Sequence, residues 1–223
     1  MAVIHRTTMS PGKLELIAAW LPSRPWYRGG DTPLLAKAGG FRLDDPEGEV
    51  GIEFMVVTDT SGDSPVTYQV PLTYRGAPLG SAADGLIGTS EHGVLGRRWI
   101  YDGAHDAVLV EQLLALLAGS ATAQDQSVSG APDPTVEVRA GGSGVPAGLV
   151  GPGAVTDTAD ATVVGVGPAG REEPVLALTV SRVPASGSAG AGGSALGQVF
   201  ARWTDADGAE QRGVFAVLRG GDV

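Results

Sequence analysis

The sequence predicts an α+β fold: a curved antiparallel sheet packed by two helices, with further β strands in the C-terminal half. Three observations lead there. Extended runs joined by short connections rich in Asp, Gly and Pro follow one another through the first half, the pattern of an antiparallel meander. Two apolar segments, 11–21 and 106–118, instead repeat at helical spacing. Beyond residue 134, β-rich runs continue with no further helical period.

Ser10-Pro11 reads as the start of the first helix, Ser being able to cap and Pro being preset for the first helical position. Leu14, Ile17, Ala18 and Leu21 then recur one turn apart, Leu16 and Trp20 add a second apolar pair, and Pro22 stops the run. A helix this apolar is expected to be buried on more than one side. After Gly29-Gly30 the runs 34–43, 50–58 and 66–74 read as consecutive strands, separated by turn chemistry at 44–48 and 61–65. Alternation of Ile52, Phe54 and Val56 gives the middle run one buried face. The second helix begins at Asp106 as its cap, carries Leu109, Val110, Leu113, Leu114 and Leu117 on one broad face, and ends at Gly119.

Composition shifts to Ala, Ser, Gln, Asp and Pro over 120–134, which reads as a linker or mobile loop. The chain then divides into an α+β domain over 1–119, this connection, and a β-rich region over 135–223 that either continues the same sheet or forms a small second lobe. Strands are predicted at 135–139, 161–166, 175–183, 197–204 and 212–218. Asp205-Ala206-Asp207-Gly208-Ala209-Glu210 joins the last two as a hairpin turn, and the Ala, Gly and Ser tract at 185–194 reads as a disordered loop.

Composition also bounds the chemistry. Cysteine is absent, which removes thiol nucleophiles, thiolate metal sites and disulfides, and fits a reducing cytoplasm. A formal net charge of -10, with Lys13 and Lys37 the only lysines, argues against a nucleic-acid partner, whose phosphates demand clustered cations. The amino end lacks a long apolar stretch and the run 107–118 is interrupted by Glu111 and Gln112, so a soluble cytoplasmic protein without a membrane segment is expected.

Reactive motifs do not assemble. Gly12-Lys13 is followed by Leu14 instead of the Ser or Thr of a Walker loop. The glycine string 165–170 is followed by residues that do not open a helix, so it reads as a turn and not as a dinucleotide site. Ser90 lies near His92 but outside a nucleophile elbow. His92, Asp102, His105 and Asp106 include no pair spaced to place two metal ligands on one helical face. No catalytic residue, cofactor or metal is therefore assigned.

The aromatic residues Trp26, Tyr27, Tyr68, Tyr74, Trp99 and Tyr101 concentrate in the first half, where core packing is favoured over a carbohydrate platform. The candidates for ligand or partner contact are Arg28, Arg75, Arg97 and Trp99, with Trp26 and Tyr68 beside them, because Arg and aromatic side chains anchor interfaces.

One stretch carries a family likeness. It begins Tyr68-Gln69-Val70-Pro71-Leu72-Thr73-Tyr74-Arg75-Gly76, continues through His92-Gly93-Val94-Leu95-Gly96-Arg97-Arg98-Trp99-Ile100-Tyr101-Asp102-Gly103, and closes with the helix from Asp106. Together with Arg24-Pro25-Trp26-Tyr27-Arg28-Gly29-Gly30, it resembles the N-terminal cap of actinobacterial maltokinases and related aminoglycoside-phosphotransferase-like sugar kinases. Asp31 stands where those kinases carry Lys. The resemblance implies the cap fold and a role in α-glucan, maltose or trehalose metabolism. It does not extend to the kinase's catalytic lobe: this sequence has no Asn and no His-Gly-Asp loop to position magnesium, phosphate and hydroxyl. The expected function is a non-catalytic, cap-like binding or regulatory module whose partner is a sugar kinase, an α-glucan enzyme or a second copy of itself. The alternatives are an accessory subunit completing the active site of a separately encoded sugar kinase, and a sugar-binding protein.

Overall fold

A computed structural model describes residues 8–170, 175–187 and 195–220. His5, the segment after the 165–170 glycine string, and residues 188–194 of the predicted disordered loop lie outside the described residues. The strands, in chain order, are β1 (Met9–Ser10), β2 (Leu35–Leu43), β3 (Gly51–Asp59), β4 (Val66–Arg75), β5 (Leu86–His92), β6 (Gly96–Asp102) and β7 (Gln124–Asp125). They continue as β8 (Glu137–Ala140), β9 (Leu149–Val150), β10 (Val155–Asp157), β11 (Ala161–Pro168), β12 (Leu176–Ser181), β13 (Ala195–Thr204) and β14 (Glu210–Gly220). Two α-helices accompany them, α1 (Lys13–Trp20) and α2 (Ala107–Leu117).

Among the described residues all fourteen strands belong to one antiparallel sheet, a larger object than a curved sheet under two helices. Its path runs β1-β5-β6-β4-β3-β2-β13-β14-β12-β11-β10, with β7 beside β2, β8 beside β13 and β9 beside β11. The two halves join where Trp203 of β13 pairs with Gly39 of β2. Far along the path, the sheet curls back on itself: the Gln69 N–H of β4 donates to the Arg182 carbonyl just beyond β12 at 2.9 Å. Strands β2 and β3, the C-terminal strands and α2 line one apolar cluster that includes Phe41, Phe54, Leu113, Val164, Val199 and Phe215.

A second cluster lies on the other side of β3 and β4, built from Ile17, Trp20, Trp26, Met55, Val57, Tyr68 and Ile100. Strand β3 is therefore buried on both faces: Ile52, Phe54 and Val56 enter the first cluster, Met55 and Val57 the second. Alternation detects one apolar face, but here the alternate positions are apolar as well. Phe41 and Phe54 stack across β2 and β3 with ring centroids 4.5 Å apart.

The helix ends differ in how closely they follow the sequence. Helix α2 is capped by Asp106, whose carboxylate accepts from the Val108 N–H, and Gly119 follows it with φ at +77°. Helix α1 starts later than expected: Ser10 pairs in β1, and Gly12 takes the capping position with its N–H donating to the Glu15 carboxylate at 2.7 Å. Leu21–Ser23 continue as a 3-10 turn through Pro22, which a tighter helix tolerates near its start. Residues 120–134 run against the sheet: Ala123 is buried, and Gln124 and Asp125 pair with Arg42 and Phe41. The hairpin at Asp205–Glu210 forms as the Asp-Gly pair requires, with the Asp205 carboxylate accepting from the Asp207 and Ala209 N–H groups.

Candidate functional site

Strand β4 ends at Arg75, directly opposite Trp99 of β6. The chain then turns through Gly76, and the Leu79 N–H is held by the Tyr101 hydroxyl at 2.7 Å. Between this turn, β6 and the loop before β3 lies an open cleft of about 410 Å³, lined by Glu49, Val50, Arg75, Gly76, Pro78, Leu79 and Arg98 among others.

Arg75 is fixed at the rear of the cleft by the same aspartate that caps α2. Its Nε lies 2.7 Å from Asp106 Oδ2 and its Nη2 2.6 Å from Oδ1, a bidentate fork on a fully buried carboxylate. Thr73 Oγ1 donates to Oδ2 at 2.7 Å. Bonding to Asp106 raises the Arg75 pKa further, outweighing the opposing effect of burial. Arg98 reaches the cleft from the neighbouring strand. Its Nη2 donates to the Leu95 carbonyl at 3.0 Å, whereas its Nε is buried with no hydrogen-bond partner. A Cβ at Gly76 would fall 2.9 Å from Arg98 Nη1, so the turn and the end of this flexible guanidinium lie close together.

Two other polar clusters in this half are closed by internal partners, backbone as well as side-chain at Asp59 and side-chain at Glu53. The Asp59 carboxylate accepts from Tyr27 Oη at 2.8 Å, from the Leu34 and Ser61 N–H groups, and from Ser61 Oγ. Burial raises the Asp59 pKa, but these donors outweigh it and lower the net value. Burial pushes the Tyr27 hydroxyl up to about 12, assisted by its bond to Asp59. A Cβ at Gly29 would sit 2.1 Å from Asp59 Oδ2, so the first glycine of the pair permits the loop to close over this carboxylate.

The second cluster surrounds Glu53. Lys13 Nζ lies 2.5 Å from Oε2, Tyr74 Oη donates to the same atom at 2.6 Å, and Gln126 Nε2 donates to Oε1 at 2.8 Å. Burial alone raises the Glu53 pKa, yet the Lys13 charge and these three donors carry it below its ordinary value of 4.5. A folded-state pKa below the unfolded value means that ionised Glu53 stabilises the fold above the unfolded pKa, and that this stabilisation is lost as pH falls through the folded one. Glu53→Gln is expected to flatten the decline in the urea midpoint between roughly pH 5 and pH 3. An unchanged decline would assign acid sensitivity to other carboxylates.

The residues singled out in the sequence separate into core and surface. Trp26 and Tyr68 are fully buried, which corrects their assignment as contact residues: their rings pack 5.9 Å apart, and Tyr68 Oη accepts from the Arg28 N–H at 2.8 Å. Aromatic rings of this size contribute most to stability when wholly withdrawn from water, and the loop 24–30 folds them inward. Arg28 is exposed, its Nη2 donating to the Ala159 carbonyl at 3.1 Å. Arg97 is exposed and paired with Glu91 at 2.8 Å, while Trp99 is half-buried. Only Arg75 of the six lines the cleft. Arg98 was missed, although successive strand residues point to opposite faces and the Arg97-Arg98 pair therefore sends one arginine to each. The metal-type grouping is otherwise engaged: Asp102 pairs with Arg182, Asp106 with Arg75, and His92 Nδ1 accepts from the Leu95 N–H. Among the described residues no helix is long and apolar enough to cross a membrane.

No curated protein matches the chain. A model of the maltokinase N-terminal cap domain matches residues 20–106, the stretch that contains the cleft, the Gly29-Gly30 loop and the capping aspartate of α2, and this part of the chain is accordingly a maltokinase cap-like region.

Proposed function

We propose that this protein is a non-catalytic binding module of α-glucan, maltose or trehalose metabolism that docks on a sugar kinase or an α-glucan enzyme. The match of residues 20–106 to the maltokinase cap domain carries this reading. Geometry lends support at the β5–β6 hairpin inside the matched stretch. Val94 and Leu95 at its tip are 61% and 44% exposed, and Leu86 at the other end of β5 is 42% exposed. Arg97 and the half-buried Trp99 follow on β6, giving apolar, aromatic and arginine groups on one hairpin. The polar clusters around Asp59, Glu53 and Asp106 are occupied with internal backbone, side-chain and helix-cap partners, which fits a module that binds and does not react.

The test uses a purified maltokinase-type sugar kinase and this protein, followed by size-exclusion chromatography with light scattering and by kinase kinetics. A co-eluting complex that Leu95→Asp disrupts, with intact thermal stability of the variant, is the expected result. Separate elution together with unchanged kinase kinetics would overturn the proposal. A partner-dependent rise in kcat would instead identify an accessory subunit that completes the kinase active site.

A further inference from the structure

We infer that the cleft between Arg75 and Arg98 binds a small oxyanion, a carboxylate or a phosphate, through the Arg98 guanidinium. The two guanidinium groups of the lining are engaged to different degrees. Arg75 commits Nε and Nη2 to Asp106, so this pair is neutral as a unit. Arg98 forms no ion pair among the described residues, and its one hydrogen-bond acceptor is the Leu95 carbonyl. Glu49 offsets this charge in the sum over the lining, so what distinguishes the cleft is a guanidinium with unused donors in a protein whose formal net charge is -10.

The geometry of that charge favours a planar or tetrahedral oxyanion. A guanidinium donates along two parallel N–H directions, matching the paired oxygens of carboxylate and phosphate. Arg98 Nη2 is taken and Nε is withdrawn from solvent without an acceptor, so Nη1, beside Gly76 of the lining and with no hydrogen-bond partner among the described residues, is the donor that meets a ligand. Arg75 Nη1 is the edge of the second guanidinium left uncommitted by the Asp106 fork. Val50, Pro78 and Leu79 supply apolar wall beside these donors. Glu49 also borders the cleft and opposes an anion, though its side chain is exposed and therefore screened. A neutral sugar would leave the Arg98 guanidinium without an ion pair, which is why the ligand class is anionic.

The experiment uses the whole protein without any partner, so its failure and the failure of kinase docking are separable. Amide resonances are followed by NMR while inorganic phosphate, sodium acetate or sodium chloride is added at matched ionic strength. Saturable shifts at Gly76, Ala77 and Leu79 with phosphate or acetate, and not with chloride, are expected; whichever saturates at lower concentration identifies the preferred oxyanion. Arg98→Gln should abolish saturation while leaving the thermal midpoint within a few degrees. Glu49→Gln should tighten binding by about fivefold, the size of a single screened surface charge. Linear shifts, an equal response to chloride, or saturation that survives Arg98→Gln would each overturn the inference.

Discussion

Arg182→Ala is expected to lower unfolding stability by about 3–5 kcal/mol, because it removes one partner of a buried ion pair and leaves the other uncompensated. The side chain of Arg182 is fully buried. Its Nη2 lies 2.5 Å from Asp102 Oδ2, its Nε donates to Thr162 Oγ1 at 2.7 Å, and its guanidinium carbon sits 5.1 Å from the centre of the Trp26 ring. Asp102 ends β6, Thr162 lies in β11 and Trp26 belongs to the loop after α1, so one cation ties together segments from both halves of the chain. The backbone adds to this junction, since the Arg182 carbonyl accepts from Gln69 N–H where the sheet curls back. Urea denaturation reads the effect as a shift in midpoint. Arg182→Met combined with Asp102→Asn should cost less than Arg182→Ala alone, since a long apolar chain then fills the volume and no unpaired charge stays buried. A loss below about 1 kcal/mol for Arg182→Ala would show that water enters and solvates Asp102.

Trp26→Ala should cost about 3–5 kcal/mol, the range for emptying a large aromatic site in a packed core. Trp26 meets Trp20 edge-on at 5.6 Å and Tyr68 at 5.9 Å, and it forms the floor on which Arg182 rests. Its Nε1–H is buried without a partner. Trp26→Phe is therefore expected to cost less than half as much, because it keeps a ring in the cluster and removes the unpaired donor. A sugar-stacking tryptophan behaves otherwise: its truncation leaves the urea midpoint nearly unchanged and weakens binding. The two variants also test the Arg182 junction, since neighbours in one packed network lose stability non-additively. A double-mutant cycle of Trp26→Phe with Arg182→Met should show coupling, and strict additivity would place the ring outside the junction.

Much of the local structure was legible. Strands 66–74 and 197–204, the hairpin at Asp205, the Asp106 cap and the Gly119 stop all follow from short-range chemistry that neighbouring residues carry within themselves. Strand β5 was not legible, because Leu86-Ile87-Gly88-Thr89-Ser90-Glu91-His92 has neither a run of apolar residues nor a clear alternation. Its pairing with β6 and β1 supplies what its own sequence does not. The start of α1 was misplaced for a similar reason: Ser10 can cap a helix, but pairing with Glu91 draws it into the sheet.

The candidate site was half visible. Arg75 stood out through its place before a glycine turn in a stretch resembling the maltokinase cap, whereas Arg98 became notable only when the cleft placed its Nε beyond any acceptor. Trp26 and Tyr68 looked equally suited to contact or to core in the sequence, since the same rings serve both uses.

By itself, the sequence determined the longer strands with clear apolar patterning, the acidic and cysteine-free character, and the cap-like stretch with its capped second helix, because each is carried by residues adjacent in the chain. Only the tertiary structure decided that the strands of both halves form one sheet, that β3 is buried on both faces, and that Arg182 binds Asp102 across 80 residues. Those outcomes depend on which distant surfaces meet, and burial then assigns each ring and charge to the core or to solvent.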